Sequence, residues 1–290
     1  MANAITKFKK YIDLLDEVYA NASKTSVLDG DTTLVRQGAN ANEIIIPKIS
    51  MDGLGDYSRN SGYVNGDVTL TNETVQFNYD RGRAFTVDAM DNEETAGVAF
   101  GKLSSEFIRT KVVPEVDAFR FATYAGITGI SKATAGTIST GNDALTALVT
   151  AMSKMDDDEV SEERRYLFIT PTLYNMILNV DTSKSKEIIS RFAGIVTVPQ
   201  SRFVTAIDLK DGTTSGEEAG GYSKATAGKD INFMIIQKDA ILQYPKHKVN
   251  KVVTPEENQT SDGWKFFYRE YGLADVYENK VAGIYLHNKA

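Results

Sequence analysis

Cysteine is absent from all 290 residues, which excludes disulfides, thiolate metal sites and cysteine nucleophiles. The absence fits assembly in a reducing cytoplasm, and it fits ordinary cytosolic chains equally well. Histidine is almost absent too. His247 and His287 are the two present, and neither has an acidic residue beside it. No His-x-x-x-His or Glu-x-x-His spacing marks a metal site, and no Gly-x-Ser-x-Gly elbow offers a serine nucleophile. Long apolar runs are missing: nothing approaches the roughly eighteen residues needed to span a bilayer. Lys7, Lys9 and Lys10 are not followed by an apolar run of signal-peptide length, so a soluble, non-exported chain with no membrane partner is expected. An excess of positive charge is also lacking, with 32 Lys and Arg against 39 Asp and Glu and a formal net charge of −7. Proteins that grip nucleic acid tightly present a basic face, because counterion release at phosphates supplies much of the affinity. The acidic balance fits an ordinary soluble surface, and it fits a container wall that encloses DNA without adhering to it.

What the chain does have is the composition of a folded protein. It is 42% hydrophobic, 24% charged and 10% aromatic, and long enough to bury a large core without staples. Its length suits one large domain or two ordinary ones. Segments that superficially suggest chemistry dissolve on inspection. Gly53 to Ser58 lacks the third glycine and the strand–helix context of a phosphate loop. Ser183-Lys184-Ser185-Lys186 matches Ser-x-x-Lys without the partner motifs of penicillin-recognising enzymes. Asp29-Gly30-Asp31 is too short for a calcium loop, and Asp156 to Glu159 reads as the solvated end of a helix. Glu115 and Asp117, beside Pro114, read as helix-capping carboxylates rather than an acid–base pair. No catalytic residue, cofactor or metal is expected. A hexapeptide occurs twice, at 131–136 and 223–228, but no period surrounds it and no repeat array follows.

Periodicity orders the rest. Ile5, Phe8, Ile12, Leu15 and Tyr19 form one apolar stripe on an amino-terminal helix, followed by a polar tether to about residue 42. So short a helix is marginal alone in water, which makes Ile5, Phe8, Ile12 and Leu15 candidate contacts to another subunit or a scaffold. Period-two alternation then runs from Glu43 to Ile49, resumes at Val68 and Leu70, and continues at Val75, Phe77, Tyr79, Phe85 and Val87. Asn65-Gly66 and Arg81-Gly82 read as punctuation between antiparallel hairpins. The stretch from Asp52 to Gly66 has few bulky apolar residues and must project. Its Tyr57, Arg59 and Tyr63 are candidate subunit contacts. At Asp91 the period changes to that of a helix with Ala96, Phe100, Leu103 and Phe107 on one face, kinked or restarted at Pro114 and ending near Gly126. Helices and strands then alternate: a helix at 142–155, a strand at 166–170, helices opened by Pro171 and Ser185, and a strand at 195–198. A soft loop covers 211–230, strands follow at 231–236 and 238–242, and the end is aromatic and strand-rich.

In this order the chain resembles the major capsid proteins of tailed bacteriophages, with their Hong Kong ninety-seven type of shell fold. The resemblance is carried by the strand Glu43 to Ile49, the tip with Ser61-Gly62-Tyr63, and Asp80-Arg81-Gly82-Arg83 leading into Phe85-Thr86-Val87-Asp88. Val113 to Arg120 and Gly283-Ile284-Tyr285 add to it. It implies an α+β fold with an amino-terminal arm (1–42), an extended hairpin loop (43–90), a spine helix with a peripheral domain (91–139), an axial domain (140–235) and strands returning to both (236–290). It further implies hexamers and pentamers of this chain forming an icosahedral shell around double-stranded DNA, assembled in a bacterial cytoplasm, with portal and decoration proteins as partners. Some relatives carry a long amino-terminal scaffolding segment. The short stretch before Glu43 here implies a separate scaffold protein instead. Others crosslink a lysine of the extended loop to an asparagine. Between Gly53 and Gly101 this sequence has no lysine, so covalent crosslinks by that route are not expected. Two alternatives stay open at this point: an encapsulin-like nanocompartment enclosing cargo enzymes, and an enzyme whose α/β body holds a pocket.

Overall fold

A computed structural model describes residues 19, 22–30, 36–37, 43–94, 98–180 and 183–290. The stripe Ile5, Phe8, Ile12 and Leu15 and the helix-face residue Ala96 lie outside the described residues, as does the side chain of Phe100. Strand β1 (Arg36–Gln37) pairs with β2 (Glu43–Met51), and β2 pairs antiparallel with β3 (Val68–Gln76) from Glu43↔Gln76 out to Met51↔Val68. The next strand, β4 (Tyr79–Asp88), leaves this hairpin for another sheet. There it pairs with β12 (Gly263–Val276), which in turn pairs with β11 (Ile241–Val253). The break between β3 and β4 falls at Phe77-Asn78. The Asn78 amide extends the ladder as a backbone would, donating to the Ala274 carbonyl at 2.8 Å and accepting from the Ala274 amide at 3.1 Å.

Arg81-Gly82 is therefore not the turn that its composition suggests. Gly82 sits inside β4 opposite Arg269, where an added Cβ would come within 2.8 Å of the Tyr268 carbonyl oxygen. The glycine serves close approach of two strands rather than chain reversal.

The helix expected from Asp91 starts earlier. Asp88 Oδ1 accepts the Met90 amide at 2.9 Å, which makes Asp88 the cap of α1 (Ala89–Glu94) and places Asp91 within its first turn. Helix α2 (Val98–Phe107) passes through a π-helical segment, Ile108–Val112, into α3 (Val113–Gly126). Pro114 has no amide to donate, and its ring crowds the carbonyl four residues back. The wider π turn immediately before it relieves that crowding, so the spine continues where a break would otherwise form.

The spine supports a five-stranded sheet in the order β5 (Ser131–Lys132), β13 (Ile284–Asn288), β10 (Ile231–Gln237), β6 (Arg165–Ile169) and β7 (Gly194–Thr197). Strand β10 is buried along its whole length because both faces of the sheet are covered. One face meets α4 (Gly141–Asp157), α5 (Pro171–Leu178) and α6 (Ser183–Ser190) through Leu148, Met152, Leu167, Ile177, Ile188 and Ile235. The other face packs Phe168, Met234, Ile236 and Leu286 against Phe121 and Tyr124 of the spine. Helix α4 opens on a capping box, Thr140 Oγ1 accepting from the Asp143 amide and Asp143 accepting from the Thr140 amide. Two further expectations need correction. Lys238–Ala240 is a single 3-10 turn from which β11 then departs, and the soft loop at 211–230 contains β9 (Tyr222–Lys224), paired with β8 (Ile207–Leu209).

Glu115 and Asp117 are not caps. Both are buried within α3 and tie distant segments together. Asp117 accepts hydrogen bonds from Ser23 Oγ (2.9 Å), the Lys24 amide (2.9 Å), the Thr25 amide (3.1 Å) and Thr25 Oγ1 (2.7 Å), and pairs with Arg202 at 3.0 Å. Glu115 accepts from Tyr79 Oη at 3.2 Å and Arg81 Nε at 2.8 Å. Burial raises the pKa of Tyr19, Tyr79, Tyr124 and Tyr268, which keeps these hydroxyls protonated as donors. Removing one partner of a buried charge pair strands the other without compensation. Asp117→Ala is expected to lower unfolding free energy by about 3–5 kcal/mol in urea denaturation, because it orphans Arg202 and the amides of Lys24 and Thr25 together. A loss below about 1 kcal/mol would mean that the junction is not under load.

Candidate assembly surface

The β2–β3 hairpin is built with a buried root and an exposed shaft. At the root, Ile44 and Val75 pack against Leu242, Tyr244 and Leu273, with Ile46, Phe77 and Tyr277 alongside. Fully burying aliphatic side chains of this size contributes about 1.5–3 kcal/mol each, enough to fix the hairpin's departure from the body. Lys48 adds an ion pair to Glu278 at 3.0 Å. Beyond it the pattern inverts: Ile49, Met51, Leu54, Tyr57, Tyr63, Val64, Val68 and Leu70 are all exposed. Apolar residues grouped this way on a soluble chain mark a surface that another surface covers.

The tip is nevertheless ordered by its own hydrogen bonds. The Asp67 amide donates to Asp52 Oδ2 at 2.8 Å, and the Asp52 amide donates to the Asp67 carbonyl at 3.1 Å. Ser58 and Gly62 exchange backbone hydrogen bonds at 3.2 and 2.8 Å, and Ser58 Oγ accepts from the amides of Asn60 and Ser61. Gly62 holds φ +79°, the left-handed region where a side chain would be strained. This turn brings Tyr57 and Tyr63 together edge to face, their ring centroids 4.9 Å apart, at 61% and 88% exposure. Arg59 stands at the turn, exposed and without an ion pair among the described residues. The structure thus brings the three tip candidates into one patch, while the four arm candidates lie outside the described residues.

No catalytic grouping competes with this surface among the described residues. His287 is buried, its pKa is lowered by that burial, and its Nδ1 faces Asn232 Nδ2 at 3.0 Å. No group of three or more metal-ligating side chains is found among the described residues. No described helix is long and apolar enough to cross a membrane. The buried junction at Asp117, Arg120 and Glu270 escaped sequence reasoning. Its partners Thr25 and Arg202 lie far from Asp117 in the chain, and nothing local signals that they meet.

With this geometry in hand, comparison with solved structures decides the architecture. The virus-like particle from Pyrococcus furiosus superposes with a TM-score of 0.60 over 97% of this chain and 99% of its own, at 14% identity. The capsid of cyanophage P-SCSP1u gives 0.54 over 88% and 85%, at 15% identity, and that of Myoviridae phage XM1 gives 0.52 over 89% of each chain, at 12% identity. This chain has the Hong Kong ninety-seven type of shell fold. No protein-family model matches the sequence, and no curated protein matches it. At these identities the likeness lies in the fold alone.

Arg59→Glu tests whether this loop works between molecules or within one. As an exposed site without an ion pair, it should leave the unfolding midpoint nearly unchanged, within roughly half a kcal/mol. Tyr63→Ala should behave likewise. Both are expected to reduce particle formation measured by light scattering, and a stability loss without an assembly loss would place the tip's role inside the subunit.

Proposed function

We propose that this protein is a major capsid protein, a structural subunit rather than an enzyme, which self-assembles into hexamers and pentamers of an icosahedral shell around double-stranded DNA. The observation that carries the reading is the long hairpin, whose exposed apolar shaft and tip have no partner surface among the described residues, in a chain with a shell fold along nearly its whole length. A monomeric enzyme has no use for such a surface. The formal charge of −7 suits a wall that must not bind its contents tightly. On this reading residues 1–42 are the arm, 43–90 the extended loop, 91–139 the spine and peripheral domain and 140–235 the axial domain, with 236–290 returning to both. Ile5, Phe8, Ile12 and Leu15 dock on a neighbour or a separate scaffold protein, and Tyr57, Arg59 and Tyr63 dock on a neighbour. Portal and decoration proteins complete the particle, which assembles in the bacterial cytoplasm.

A second reading, an encapsulin-like nanocompartment holding cargo enzymes, draws support from the likeness to the particle of Pyrococcus furiosus, described as virus-like rather than as a phage. Negative-stain microscopy of the purified chain tests both readings against a monomer. Closed shells of uniform diameter are expected, and a chain that stays monomeric at high concentration contradicts both. Particles isolated from their natural source then separate the two: nuclease-protected double-stranded DNA supports the capsid, and an enclosed enzyme supports the nanocompartment.

A further inference from the structure

Asn65-Gly66, where the hairpin tip returns toward β3, is a chemically labile dipeptide. Asn65 is the one asparagine of the chain that precedes a glycine. The backbone nitrogen of the following residue can attack an asparagine side chain, and glycine lacks the Cβ that would hinder its approach. Both residues are exposed, both lie outside β2 and β3, and neither makes a hydrogen bond among the described residues. Other asparagines are held. Asn60 precedes Ser61, whose amide is engaged with Ser58 Oγ at 3.3 Å, and Asn72 lies within β3. Asn78 clamps Ala274, and Asn232 is buried against His287.

Among the described residues, nothing in the fold requires glycine at 66. Its φ lies outside the left-handed region, and an added Cβ would meet only the Asp52 Cβ at 3.6 Å, an ordinary contact. A side chain that hinders the attack can therefore be introduced without strain. Just beyond the dipeptide lies the pair that closes the loop onto β2 and β3. The Asp67 amide donates to Asp52 Oδ2 at 2.8 Å, and the Asp67 carbonyl accepts the Asp52 amide at 3.1 Å.

We infer that Asn65 is a self-modifying site, converting in water to aspartate and isoaspartate and thereby opening the Asp52–Asp67 clamp. The Gly66 amide nitrogen gives up its proton and bonds to Asn65 Cγ. The Cγ–Nδ2 bond breaks, and ammonia leaves with that proton, closing a succinimide ring. Water then adds to the ring. Opening at Cγ leaves aspartate, whereas opening at the main-chain carbonyl leaves isoaspartate, whose backbone runs through Cγ and is one carbon longer. The extra carbon shifts the chain just ahead of the Asp67 amide. The new carboxylate also lands beside Asp52 and Asp67, and like charges at close range disfavour the closed pair. The inference concerns the chain's own chemistry and goes beyond the shell reading without resting on it.

The test ages the purified full chain in warm, mildly alkaline heavy-oxygen water and locates the label by fragmentation mass spectrometry. Heavy oxygen should enter residue 65 at least tenfold faster than any other asparagine, as a mixture of aspartate and isoaspartate. Raising the pH should speed the conversion, because the attacking nitrogen must lose its proton. Gly66→Ala should slow it at least tenfold while leaving the unfolding midpoint unchanged. Hydrogen exchange then reads the clamp: the Asp67 amide should exchange at least tenfold faster in the isoaspartate-bearing fraction than in fresh protein. In Gly66→Ala aged for the same time it should not change. Label entering another asparagine first, equal conversion in Gly66→Ala, or isoaspartate at 65 with Asp67 exchange unchanged would each overturn the inference.

Discussion

Asp117 is the point on which the separate parts of this fold converge. It sits on α3 with no solvent exposure, and its two oxygens hold Ser23, Lys24 and Thr25 on one side and Arg202 on the other. Around it, Arg120 donates to Thr25 Oγ1 at 2.9 Å and lies 3.9 Å from Glu270, while Tyr124 donates to Gln243, which itself donates to the Thr25 carbonyl and Asp29. Burial works against the charge of Arg120, but facing Tyr19, Asp29 and Glu270 outweigh it and raise its pKa. Such a network stabilises little compared with apolar packing, but it tolerates only one arrangement. It fixes residues 23–29, Arg202 and the β11–β12 sheet around α3.

That rigidity makes the hairpin an effective lever. Its root is set by Ile44 and Val75 in a small core, and its position relative to the body is fixed by the Asn78–Ala274 clamp and by the passage of β4 into the β11–β12 sheet. The apolar side chains of the shaft beyond are exposed, with no packing partner among the described residues. The same chain thus carries an overdetermined interior and an extension whose apolar side chains are exposed.

Where the local pattern alone decides, the sequence was legible. Alternation located β2 and β3, the run Ile231 to Ile236 located a strand buried on both faces, and Pro171 opened the helix that it was expected to open. The order of elements carried the shell resemblance, and Tyr57, Arg59 and Tyr63 were visible as a patch because the tip is local in sequence. Misreadings arose where a residue answers to a distant partner. Arg81-Gly82 looks like a turn but meets Tyr268 and Arg269 in mid-strand. Asp91 looks like the start of the helix because Asp88, the actual cap, also ends a strand. Glu115 and Asp117 look like first-turn carboxylates because nothing in their neighbourhood announces Arg81, Thr25 or Arg202.

Hydrogen exchange of the hairpin's backbone amides measures directly whether it is a surface between molecules. In the free subunit, amides from Asp52 to Gly66 should exchange quickly, since few hydrogen bonds and little packing among the described residues protect them, while those of β10 should exchange only with global unfolding. In assembled particles the tip amides should slow by at least tenfold with β10 unchanged. Tip amides that exchange equally fast in both states would contradict the account.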